Sequence, residues 1–166
     1  ASKIVIIDHH RRSADYIENA TLTFQEVYAS SAAELVTELL QYAEVNVELK
    51  KIEAEALYAG IMMDTKSFTF KTGVRTFEAA AYLRKCGVDI IRVKKWFQSD
   101  LESFNKIADI VKKAEIVNDS IAIALSDTEK SKDISLLCAK AADELLTISD
   151  VTALSLIHIS EPTRPE

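Results

Sequence analysis

The residues of this chain best equipped for chemistry are Asp8-His9-His10 and Asp64. A neutral imidazole is a good ligand for divalent transition metals, and a neighbouring carboxylate can accept its second N–H and fix the tautomer. The triplet follows Lys3-Ile4-Val5-Ile6-Ile7, a run that is apolar after its first residue and consists largely of β-branched side chains. Such a run reads as a buried parallel strand, and open α/β sheets bind ligands at the carboxyl ends of their strands. If the extended conformation persists, successive side chains face opposite ways, so His9 and His10 take different roles, one toward a metal and one toward a substrate. Asp8 is then an orienting group or a ligand itself. Asp64 closes a second apolar segment, Ile52 to Met63, in which Ile52, Ala56, Ala59 and Met63 recur at the spacing of one helix face. Each feature alone has an ordinary explanation, a solvated turn after a strand or an aspartate capping a helix end. Together they form a set of candidate ligands drawn from two separate parts of the chain.

The elements that must position these groups can be read from the pattern around them. Residues 11–22 form a polar connection with a short helical turn around Ala14 to Asn19, and Thr23 to Tyr28 alternates as a short strand. Ser31 and Glu34 have capping-box spacing, and Ala32, Leu35, Val36, Leu39, Leu40 and Ala43 predict a helix over 32–43. Ser30 and Ser31 therefore read as capping residues, while a helix N-terminus beside the triplet would also attract a phosphate. A helix is expected from Arg75 to Lys85, with Phe77, Ala80, Ala81 and Leu83 inward and Gly87 ending it. Asp89 starts another, carrying Ile90, Val93, Trp96 and Phe97. From Asp100, Leu101, Phe104, Ala108 and Val111 mark an amphipathic helix that reads as a connector between domains. Glu115-Ile116-Val117, Asn118-Asp119 and Ile121 to Leu125 give a hairpin signal, a helix follows over 134–146, and Val151 begins a last strand.

Three ordered segments, Ile6 to Arg12, Tyr28 to Val36 and Gly60 to Phe68, resemble successive motifs of the DHH phosphoesterases. A fourth, Lys71 to Ala80, narrows the likeness to the cyclic-di-AMP phosphodiesterases of the GdpP type. The resemblance implies that His9 and Asp64 bind metal, that Asp8 stands behind them, and that His10 faces the phosphate as a hydrogen-bond donor or general acid. It also implies two divalent ions, manganese by preference, and directs Arg11, Ser30, Ser31 and Arg75 toward substrate. An in-line displacement by a water activated between two ions is the expected reaction. The implied fold is α/β: a parallel-sheet DHH domain, incomplete, over 1–97, a connector helix over 98–113, and part of a smaller α/β substrate-binding domain over 114–154. Residues 155–166 resemble no part of that family and read as a non-native tail, which would strip His158 of any role. Family members also carry an upstream His-x-Asp-x-Asp segment and a downstream Gly-Gly-His motif. Neither occurs here, and the only glycines are Gly60, Gly73 and Gly87. The expectation is therefore a fragment, inactive alone, of a manganese-dependent enzyme that converts cyclic-di-AMP to the linear dinucleotide. A phosphatase of short oligonucleotides or adenosine bisphosphate on the same scaffold, or a nucleotide-binding module without turnover, would share these motifs.

Composition narrows the partners. With 166 residues and 48% apolar content the chain can bury one ordinary core or two small ones. A net charge of −6 argues against a duplex nucleic-acid platform, which needs a basic stripe; bound cations could supply the positive charge a phosphoester requires. Cys86 and Cys138 fit no metal spacing; two free thiols suit a reducing cytosol, and a disulfide between them is the alternative that geometry decides. No apolar run approaches the length needed to span a bilayer. GdpP-like parents place a catalytic region on the cytoplasmic face of a membrane to which they are anchored, and a homodimer is compatible with the sequence.

Overall fold

The computed structural model describes residues 3–12, 14, 16–43, 47–118, 120–126 and 134–158. It is an α/β structure of two compact units divided between Gln98 and Ser99.

The first unit opens with β1 (Val5–Asp8) and β2 (Leu22–Gln25), paired in parallel with Asp8 opposite Gln25. The expected strand is thus parallel, but it is not buried: Val5 is 56% exposed, and Ile4 and Leu22 are also open. Parallel strands become fully buried only when helices cover both faces. Among the described residues the sheet has two strands, with one helix in contact with β1. β2 also stops three residues before the predicted end. The Glu26 carboxylate accepts the Tyr28 N–H at 3.3 Å and turns the chain, leaving Tyr28 90% exposed. No helix forms between Ala14 and Asn19 among the described residues, and Ser13 and Asp15 lie outside them.

Helix α1 (Ala32–Tyr42) starts where its cap signal places it, with Ser31 Oγ accepting the Glu34 N–H at 3.0 Å. Helix α2 (Lys51–Asp64) buries Ala54, Glu55, Tyr58, Ile61 and Met62. The face expected inside was that of Ile52, Ala56, Ala59 and Met63, yet Ile52 and Met63 are exposed. Apolar residues surround this helix, so spacing alone does not choose a face. Gly60 helps to choose it. A Cβ built there would lie 2.9 Å from the Ala33 Cβ, so α1 and α2 approach as closely as a missing side chain allows. Helix α3 (Val74–Lys85) turns Thr76, Ala79 and Leu83 inward and leaves Phe77 half-exposed, contrary to expectation. Gly87, at φ +95°, ends it: its N–H reaches Arg84 O and the Val88 N–H reaches Leu83 O, closing a Schellman turn. Asp89 caps α4 (Ile90–Trp96) by accepting from the Ile91 and Arg92 N–H groups. The core of this unit joins Ala54, Tyr58, Ile61, Leu83, Val88 and Val93.

The second unit contains α5 (Leu101–Lys112), the hairpin β3 (Glu115–Val117) and β4 (Ile121–Ser126), α6 (Ile134–Leu145) and β5 (Ala153–His158). β3 and β4 are antiparallel, with Asn118 at φ +51° in the turn; Asp119, the other predicted turn residue, lies outside the described residues. Helix α5 is built into this unit's core. Ile107 and Ile110 pack with Ala122, Ala124, Leu137 and Ala141, while Leu101, Phe104 and Ala108 remain exposed. β5 pairs with β4 in parallel from Ala153 through His158. Four residues set aside as a tail thus continue a strand, and Leu156 packs partly against the core. Leu154 and Leu156 turn toward the core while Ser155 and Ile157 stay exposed, the period of two that a strand imposes. Both cysteines are free.

Candidate functional site

β1 ends at Asp8, and the backbone bends at once. The Asp8 carboxylate causes the bend: Oδ1 accepts the His10 N–H at 3.1 Å and stands 2.8 Å from His10 Nδ1. An aspartate that captures the N–H two residues on folds the chain into an Asx turn. The extended conformation therefore does not persist, and the two imidazoles, expected on opposite faces, lie with ring centroids 4.2 Å apart and tilted by 57°. Gln25, across the parallel ladder from Asp8, locks the turn by donating to His10 O at 2.8 Å and to Asp8 Oδ2 at 3.4 Å. The His10 N–H, then its ring, hold the Asp8 pKa below the usual carboxylate value. With Nδ1 turned to Asp8, Nε2 is the ring nitrogen of His10 left facing away from that contact.

His9 takes the other direction. Its Nε2 lies 3.5 Å from Oδ2 of Asp64, the last residue of α2, with the side chains 15% and 41% exposed. Two donors each about 2.1 Å from one ion stand about 3–3.5 Å apart, and the separation of this pair lies at the upper end of that range. Among the described residues no group of three or more His, Cys, Asp or Glu side chains is arranged to hold a metal ion. Two donors alone do not fill the coordination shell of a divalent cation.

The remaining predicted residues are distributed around this centre. Arg11 lines a cavity of about 280 Å³ together with Asp8, His10, Arg12, Tyr16 and Gln25, with the Arg12 guanidinium 3.5 Å from the Tyr16 ring centroid. Ser30 and Ser31 are buried at the start of α1, and both hydroxyls are engaged. Ser30 Oγ donates to Glu34 Oε2 at 2.5 Å, and Ser31 Oγ accepts from Glu34 N. Arg75 is held by Glu38 of α1 through two hydrogen bonds of 2.7 and 2.6 Å. That carboxylate raises the guanidinium pKa further. The structure thus brings Asp8, His9, His10 and Asp64 together with Arg11 beside them, and gives Ser30, Ser31 and Arg75 partners within the protein.

Gln25, Glu34 and Glu38 were not anticipated in these parts. Glu34 was legible as a capping-box residue, but its side chain reaches past the cap to Ser30. Gln25 had a weaker signal, as a polar residue closing a strand opposite the one that Asp8 closes. Glu38 had none, because its partner is 37 residues away.

A family model described as "DHH family, N-terminal domain" matches residues 1–61. Residues 1–61 belong to the DHH family. Over 157 residues this chain is 48% identical to the cyclic-di-AMP phosphodiesterase GdpP of Geobacillus thermodenitrificans, an alignment covering 95% of this chain and 24% of the relative. It is 47% identical over 151 residues to GdpP of Bacillus subtilis, covering 90% and 23%. The chain therefore spans about a quarter of the length of these curated relatives. Among solved structures, an exopolyphosphatase-related protein from Bacteroides fragilis superposes with a TM-score of 0.73 over 90% of this chain and 45% of its own, at 20% identity, a likeness of fold.

Proposed function

We propose that this DHH chain contributes His9, His10 and Asp64 to the centre of a metal-dependent phosphodiesterase that opens cyclic-di-AMP to its linear dinucleotide within a longer protein. The observation that carries this reading is the 3.5 Å approach of His9 Nε2 and Asp64 Oδ2, from the ends of β1 and α2, in a chain 48% identical to GdpP. His9 and Asp64 would hold one divalent cation, and further donors from outside this chain would complete a pair of ions. Two such ions, manganese in this reading, would supply a nucleophilic water at neutral pH and neutralise charge on the phosphoryl oxygens.

The chain's own residues account for the rest. Asp8 keeps the His10 proton on Nδ1, so a neutral His10 accepts at Nε2 and a protonated one donates there to a phosphoryl or leaving oxygen. Gln25 holds the Asx turn that aims the ring. Arg11, on the cavity shared with His10, adds positive charge where a phosphate would approach. Membrane anchoring and a cytoplasmic catalytic face belong to the same proposal for the longer protein; no helix among the described residues is long and apolar enough to cross a membrane.

The test is hydrolysis of cyclic-di-AMP with manganese, followed by chromatography, in a chain of the relatives' length carrying this sequence. His9→Ala and Asp64→Ala should each abolish turnover. Full activity in the doubly substituted protein would refute the reading. The present chain alone should bind manganese weakly, and tight binding of two ions would refute its partial role.

A further inference from the structure

Immediately after Asp64 the backbone does something costly. Lys66, Ser67 and Phe68 take φ values of +46°, +58° and +67°, three consecutive non-glycine residues in the left-handed region. Each such residue costs on the order of 1 kcal/mol or more unless its surroundings impose it. Here they do. The Lys66 N–H reaches Met63 O at 3.3 Å and the Ser67 N–H reaches Met62 O at 2.8 Å, a Schellman closure that brackets Asp64 and places Lys66 where glycine is usual. Thr65, fully buried, is the hub. Its hydroxyl donates to Ile61 O at 2.7 Å and accepts the Phe68 N–H at 2.9 Å, and its carbonyl accepts from Thr69 and Phe70 at 2.9 Å each. The far end is pinned by the Phe68 ring, 5.5 Å from Tyr58 and 5.8 Å from Phe77, so that Phe77 packs on the turn instead of entering the core.

From this geometry we infer that Thr65 and the left-handed turn it organises are a positioning device for the Asp64 carboxylate. Asp64 sits at the last position of α2, where helices ordinarily fray, and its carboxylate must stay within 3.5 Å of His9 for both to grip one ion. A flexible glycine stop would let that end move; the buried threonine and the stacked phenylalanine remove the freedom. Thr65 is fully buried with its hydroxyl committed to Ile61 O and the Phe68 N–H, so it acts through Asp64.

This inference rests on the proposed metal role of Asp64, and the experiment separates the two. Manganese affinity is measured without substrate, from the paramagnetic resonance of the free ion, in a chain of the relatives' length. Thr65→Val should lower affinity about tenfold to hundredfold, the usual effect of losing a group that orients a ligand, and Thr65→Ser, which keeps the hydroxyl, should recover it. Gly87→Ala, destabilising at a turn remote in sequence, should leave affinity unchanged and so exclude a general loss of stability. If Thr65→Val has no cooperative melting transition, Ser67→Pro decides, since at a residue whose side chain is exposed it forbids the left-handed φ and removes the backbone N–H that donates to Met62 O. Should Asp64→Asn leave affinity intact, the proposed function fails. Should Asp64→Asn weaken binding while the turn variants do not, the positioning role is overturned.

Discussion

Gly60→Ala sets two physical effects against each other, and the structure decides between them. Gly60 lies inside α2, where alanine is favoured over glycine by about 1 kcal/mol from helix propensity alone. The new Cβ would meet the Ala33 Cβ at 2.9 Å. Ala33 is a rigid neighbour, because its Cβ moves only with the backbone of α1. Relief therefore requires the two helices to separate, and overpacking of this kind costs about 1–3 kcal/mol. The net expectation is a loss of roughly 0–2 kcal/mol from these two terms. The double variant Ala33→Gly/Gly60→Ala moves the gap to the opposite helix, and should regain most of the stability that the two single changes lose. The coupling expected in this cycle is about 1–3 kcal/mol. Urea unfolding followed by fluorescence of Trp96, the single tryptophan and part of α4 in the first unit, reports on the unit concerned. Additive energies across the cycle, or a full 1 kcal/mol gain from Gly60→Ala, would refute the close approach of α1 and α2.

Asp8 titrates below 3.8 in the folded protein, so its ionised form contributes stability above that value and the contribution is lost as pH falls through the lower folded value. Asp8→Asn should flatten that part of the acid limb in a melting-temperature series, and an unaltered limb would count against the Asx turn. Gly87→Ala, at φ +95° with open space around it, should cost about 1 kcal/mol through backbone strain alone in the same urea assay. Arg75→Ala and Glu38→Ala should show a coupling of about 0.5–1 kcal/mol that shrinks in high salt, because the pair is partly exposed. Arg75→Lys should not preserve it, since an ammonium cannot make both hydrogen bonds.

Local, self-contained signals were legible in the sequence. The helix expected over 32–43 runs from Ala32 to Tyr42, because its cap and its apolar stripe agree. The same holds for the α6 face of Leu137, Ala141 and Leu145, and for the β3–β4 hairpin. The inward face of α2 was not legible, because apolar residues occupy several sides and the choice depends on Gly60 meeting Ala33. Burial of β1 was overestimated because an apolar run reports what a strand could bury, whereas covering it takes other elements. At the site, residue types were informative and their directions were not. His9 and His10 were separated by an alternation that Asp8 and Gln25 abolish. The left-handed turn was invisible, since Lys66-Ser67-Phe68 contains none of the residues that ordinarily announce one, and it is imposed by Thr65 and the aromatic stack.

Glu34 has a consequence for which anions the site admits. A helix start usually offers bare N–H groups to any phosphate or sulfate in solution, but α1 begins with a buried carboxylate already hydrogen-bonded to Ser30. The helix start is filled by its own side chain, so a second acceptor would find the Ser30 N–H and hydroxyl and the Glu34 N–H already engaged. Under the proposed function, discrimination would fall to the cations near the triplet: Arg11, Arg12 and any ion that His9 and Asp64 would hold. Simple buffer anions should then be poor competitors for the α1 start, and phosphate recognition should rise and fall with cation loading.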